Sequence, residues 1–272
     1  EVGAVSALGL SWVDLLRAQQ GAVAGERQLP GFGRAKSCVV VFQFGGPSQM
    51  DLWDLKPDAP AEVRGEFRPI ETNVAGIRIS EELPLLAKQA DKFLIARSVT
   101  HRDFEHGSAS YTALTGKPHP LPGTNTPATS QDFPTYGAVV ANRRPTSRPV
   151  PNAVVLGPVM HQGNRPPLAG QNAGFLGASY EPFRIAGDPN AKGFRVDGLQ
   201  LPDDGSVDRL RQRYQLLLQM GPRSWESEAS AEMSQLKYRA NTLLSSAESQ
   251  RAFDLTRERP LLHEQYGRHR FG

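Results

Sequence analysis

The sequence predicts an α/β fold built around a mostly parallel central sheet. Residues 37–44 and 93–96 are apolar on both alternating faces, the pattern of strands covered on both sides. Between them lie a further short strand and a helical stripe, so strand, strand, helix and strand follow in order. Composition agrees with a folded chain: 39% hydrophobic and 22% charged residues over 272 positions exclude wholesale disorder. A single cysteine, Cys38, excludes an intrachain disulfide framework and a multi-cysteine zinc site. Lys+Arg 31 against Asp+Glu 28, with no long basic run, gives no reason to expect nucleic acid as a partner. No run approaches the roughly 18 apolar residues of a membrane helix, so no stable span is expected.

Residues 1–30 read as the remnant of an export signal and a linker, ahead of a single domain over 31–272. A small-residue apolar run over 2–16 precedes Ala22-Val-Ala24, an A-x-A pattern of the kind signal peptidases cut after. The alternative is an ordinary amphipathic N-terminal helix.

The first strand, 37–44, ends at Gly45-Gly-Pro-Ser48, a turn that lets backbone approach a ligand closely. Ligands of open α/β sheets sit beyond the carboxyl ends of strands, so this turn is a first place to look. Asp51 and Asp54 follow it, and paired carboxylates at a strand end suit a hard divalent cation. Helix-start capping is the alternative role for either aspartate. Residues 77–79 form a short strand, Ser80 supplies a helix cap, and Leu83, Leu85, Leu86, Ala87 and Ala90 form the stripe of a helix. Residues 93–96 return as a strand.

The densest polar constellation then opens: Thr100-His-Arg-Asp-Phe-Glu-His-Gly-Ser108. From Gly107 the residues are small and helix-compatible, and Gly116 is placed to end the helix. A helix start aims free N–H groups and a partial positive charge outward, which favours a phosphate or sulfate. Ser108 there would be a nucleophile if a base or metal eased its ionisation. Alternatively Ser108 and Ser110 cap the helix, and His101 and His106 make structural hydrogen bonds.

Beyond it, 132–143 predicts a helix, and 152–156 a strand leading into a Gly/Pro-rich loop that carries His161 and runs to Gly177. A loop that long is usually functional. Residues 196–201 predict a strand. Charged helical patterns over about 206–250 predict a hairpin turning at Gly221-Pro222.

Val39-Val-Val-Phe-Gln-Phe-Gly-Gly-Pro-Ser-Gln-Met-Asp51, His106-Gly-Ser-Ala-Ser-Tyr-Thr-Ala-Leu-Thr-Gly116, Gly170-Gln-Asn-Ala-Gly-Phe-Leu-Gly177 and Tyr180-Glu-Pro-Phe183 resemble domain of unknown function family 1501. The resemblance runs in order along nearly the whole chain. It implies an exported bacterial protein with a twin-arginine signal and an alkaline-phosphatase-like or sulfatase-like α/β/α sandwich. It also implies metal ions at the carboxyl edge of the sheet. Two places depart from that superfamily's pattern. The position of its serine, threonine or modified-cysteine nucleophile holds His106, and the end of the first strand holds Gly45 and Gly46, with Asp51 the nearest carboxylate.

The resulting expectation is a periplasmic or extracellular protein that hydrolyses sulfate or phosphate esters, on a small molecule or a polysaccharide. Asp51, His101 and His106 would hold a divalent metal ion, calcium or zinc, while His106 or Ser108 acts at the helix start. The alternative is a non-catalytic binding or cell-envelope protein that keeps the fold. The resemblance further implies a chain cut short, with later strands and an Asp-His pair beyond residue 272. Such a piece is expected to expose apolar surface, to be poorly soluble and to be inactive.

Overall fold

The computed structural model describes residues 34–191, 194–196, 199, 206–219, 228–267 and 269. The export-signal reading of 1–30, most of the strand expected over 196–201 and the Gly221-Pro222 turn lie outside these residues. The chain is mixed α and β, and divides into two compact units with the boundary between Val99 and Thr100.

The first unit contains helix α1 (Gln49–Leu52), strands β1 (Pro69–Glu71) and β2 (Arg78–Ser80), and helix α2 (Pro84–Ala87). β1 and β2 pair antiparallel, with Ile70 opposite Ile79, and the reversal between them is closed by Thr72. Its hydroxyl donates to Ile77 O at 2.8 Å. Ile79, Leu55, Ala87 and Ala90 are buried and form this unit's small core. Ser80 is buried but is not the helix cap that its position suggests. Its hydroxyl accepts from Glu82 N–H at 3.3 Å, a local turn at the strand end. Pro84 starts α2 instead, because its fixed φ suits a first helical position and its missing N–H leaves nothing unsatisfied there.

Two strands expected here do not form. Residues 34–43 are irregular, and Val39 and Val41 are 86% and 80% exposed. The backbone bond in this run is Phe44 N–H to Phe42 O at 2.9 Å, a tight local turn. Residues 93–96 are likewise outside any ladder and line an apolar groove with Trp53, Leu86, Arg97 and Val99. A strand exists only when a neighbouring strand takes up its N–H and C=O groups. Neither run has such a partner among the described residues. The two sheets found there are two-stranded, not one large parallel sheet.

The second unit opens with helix α3 (His106–Thr115), followed by α4 (Tyr136–Arg143), strands β3 (Val154–Leu156) and β4 (Phe183–Ile185), and helices α5 (Val207–Gln219), α6 (Glu228–Ser245), α7 (Ala247–Ala252) and α8 (Pro260–Tyr266). α3 ends as its sequence predicts. Gly116 takes φ +70°, and its N–H bonds Thr112 O at 2.9 Å. β3 and β4 pair in parallel with Val155 opposite Arg184, so the expected parallel pairing survives on this small scale.

Between β3 and β4 the long loop is ordered at its base. The buried Gln171 carboxamide accepts from Met160 N–H at 2.8 Å and donates to Leu168 O at 2.8 Å. Leu168, Ala169 and Ala173 are buried beside it. Gly170 lies so close to α3 that a Cβ there would sit 3.0 Å from Tyr111 Cα. Helices α5 and α6 occupy the region read as a hairpin, and among the described residues no helix is long and apolar enough to cross a membrane.

Candidate functional site

The head of α3 gathers most of the polar residues singled out in the sequence. His106 is the first helical residue and is exposed, while Ser108 is fully buried. The preceding segment folds on itself through Asp103. One carboxylate oxygen accepts from Glu105 N–H and from Gly123 N–H, both at 3.1 Å. The Ser108 hydroxyl accepts from the same Gly123 N–H at 3.1 Å, which ties the loop after α3 back to the helix start. His101 Nδ1 accepts from Asp103 N–H at 3.2 Å and leaves Nε2 outside this bond.

The knot has an electrostatic signature. The Ser108 hydroxyl, above all, holds the Asp103 carboxyl below its ordinary value of 3.8. Burial opposes that shift, whereas the Glu105 and Gly123 N–H groups and the charge of His101 reinforce it. A carboxylate held ionised so close to a helix start adds negative charge where the helix dipole favours it.

Gly107 makes the close packing possible. A Cβ there would lie 2.8 Å from both Cα and Oδ1 of Asn125, so a larger residue would push the 123–126 loop off the helix. Asn125 Oδ1 is buried without a hydrogen-bond partner among the described residues. Deeper in, His119 is buried edge-on to Tyr111, with ring centroids 4.7 Å apart, and its Nδ1 accepts from Leu121 N–H at 3.0 Å.

The expected site residues divide between the units. Asp51 lies half-buried on α1 in the first unit, whereas His101, His106 and Ser108 belong to the second. Asp54 pairs with Lys56 at 2.8 Å and so serves as a surface ion-pair partner. Among the described residues no three His, Cys, Asp or Glu side chains gather closely enough to hold a metal ion. His161, in the long loop, is exposed and bridges Pro167 through its backbone. Within the basic run 143–148, Arg148 is committed to Glu248.

Sequence reasoning missed three participants. Asp103 was visible only as one member of a polar run, and Gly123 and Asn125 only as loop residues. Their roles come from a loop that folds back across α3, which no local pattern announces. Residues 35–272 match the family described as Protein of unknown function (DUF1501). No curated protein and no solved structure matches the chain.

Proposed function

We propose, since the chain belongs to the DUF1501 family, that it is an exported protein acting on sulfate or phosphate esters, of a small molecule or a polysaccharide, at the head of α3. The observation that carries this reading is the helix start itself. Glu105 occupies the N-cap position yet makes no side-chain cap bond, so its carboxylate does not take up the first N–H groups of α3, and of the first three helical residues His106 is the exposed one. The exposed His106 ring stands at that opening, where an anionic group would be attracted by the helix dipole. His106 would act as proton donor or acceptor to the ester oxygen.

The α/β/α sandwich and export to the periplasm or beyond belong to the same proposal, as does a divalent cation. His101 and His106 are the imidazoles nearest the start of α3 in sequence, but among the described residues no side chains gather closely enough to hold a cation.

The burial of Ser108 favours a second reading. Its hydroxyl sits at zero exposure and is engaged by Gly123 N–H, so it presents no free nucleophile. A protein that binds esters without cleaving them accounts for that equally well. A panel of sulfate and phosphate esters, with and without added calcium or zinc, separates the two. Turnover lost in His106→Ala supports hydrolysis. Binding without turnover supports the second reading, and neither binding nor turnover overturns both.

A further inference from the structure

We infer that Arg165 is the residue that reads the anionic group of the ligand at this site, and that Glu105 occupies its guanidinium as an internal stand-in until that group arrives. This rests on the reading of the α3 head as an anionic-ester site and adds the residue that determines its specificity.

The two side chains come from segments 60 residues apart in the chain, and Arg165 Nη1 donates to Glu105 Oε1 at 2.9 Å. The same nitrogen donates to Gln162 Oε1 at 3.2 Å, an oxygen that also accepts from Asn125 Nδ2 at 3.4 Å. Glu105 and Gln162 thus share one guanidinium nitrogen beside the helix start, and Asn125, from a third segment, is linked to it through Gln162. Glu105 could have capped α3; its carboxylate instead turns to Arg165.

Arg165 is held out on a firm mount. The base of its loop is anchored by Gln171 and by buried Leu168, while the Arg165 side chain is 55% exposed. A guanidinium carries five donors in a planar fork, and here both bonds fall on Nη1. Nε and Nη2 make no hydrogen bond among the described residues. A single-point, solvent-exposed ion pair is weak, whereas sulfate and phosphate take a guanidinium through two parallel bonds. An arriving tetrahedral anion would therefore displace the Glu105 carboxylate and meet Arg165 at the head of α3, beside the exposed His106.

The test is binding of inorganic sulfate and inorganic phosphate to the full chain, measured by calorimetry, with hydrogen exchange followed over residues 160–168. Arg165→Gln is expected to weaken binding about tenfold or more, the loss of a charge-assisted bond. Arg165→Lys should recover only part of it, because an ammonium lacks the fork. Glu105→Gln should tighten binding severalfold by removing the competitor. Anion should slow exchange in the loop of the unaltered protein and not in Arg165→Gln. Binding that persists unchanged in Arg165→Gln overturns the role of Arg165 and leaves the anionic site standing. If neither the unaltered protein nor Glu105→Gln binds either anion, both this inference and the reading beneath it fall.

Discussion

The hydroxyl of Tyr111, in the middle of α3, accepts a hydrogen bond from the backbone N–H of Phe133 at 2.7 Å. Tyr111 is fully buried, and that burial raises its phenol above the ordinary 10.0, so it remains neutral around neutral pH. One side chain thereby joins the helix carrying the candidate site to the segment leading into α4. Tyr111→Phe keeps the ring and loses the bond, and is expected to cost about 1 kcal/mol. Tyr111→Ala also leaves a cavity and is expected to cost about 3–5 kcal/mol. Urea unfolding of the two variants checks both the order and the gap; equal costs would mean that the ring contributes nothing beyond its hydroxyl.

His106 and Ser108 separate function from stability. His106 is exposed, so His106→Ala should leave the unfolding midpoint within experimental error while reducing anion binding or turnover. Ser108→Ala removes one of the two acceptors of Gly123 N–H, leaving Asp103, and should cost about 1 kcal/mol of stability. A Ser108→Ala protein of undiminished stability that had lost its turnover would reverse this assignment and make the serine the acting group.

Asp103 gives the site an acid limit. Its carboxyl lies below 3.8 in the folded chain, so the unfolded chain binds the proton more readily. The stability it supplies is complete above 3.8 and disappears as pH falls through the lower folded value. Asp254 shifts the same way, chiefly through the Thr256 hydroxyl and also through Arg257, so it adds to the same acid response. Asp103→Asn should therefore narrow the difference in unfolding midpoint between pH 6 and pH 3, and Asp103→Asn with Asp254→Asn should narrow it further. An acid response identical to that of the unaltered chain would show that neither carboxyl is linked to folding.

Gly174 should be the least replaceable glycine of the loop preceding β4. Its φ is +52°, and a Cβ there would stand 2.0 Å from Asp132 O, the oxygen that accepts from Phe175 N–H. Backbone cannot move aside cheaply, so Gly174→Ala should destabilise by more than the roughly 1 kcal/mol of a left-handed conformation alone. Gly45→Ala is the control, since Gly45 also has positive φ but has open space around it. Comparable losses for the two would show that conformation, and not crowding, governs Gly174.

What the sequence determined by itself is the structure that closes on itself locally. The start of α3 near Gly107, its end at Gly116, the helix within 132–143 and strand β3 were all legible, as was family membership from motifs spread along the chain. A helix satisfies its own backbone within four residues, so capping residues and apolar spacing suffice to mark it. Tertiary structure alone decided the rest. Residues 37–44 have the composition of a strand, yet a strand needs a second segment to bond, and the described residues supply none. The pairing of β3 with β4 depends on Phe183–Ile185, whose alternation is strand-like but, at three residues, too short to mark a strand by itself. The same holds at the site. His101, His106 and Ser108 stand out in one short run, but Gly123, Asn125 and Arg165 reach it only because two loops fold back onto α3. Burial likewise could not be read from the residue type: it is the return of Gly123 that turns Ser108, a plausible nucleophile on paper, into an engaged and buried hydroxyl.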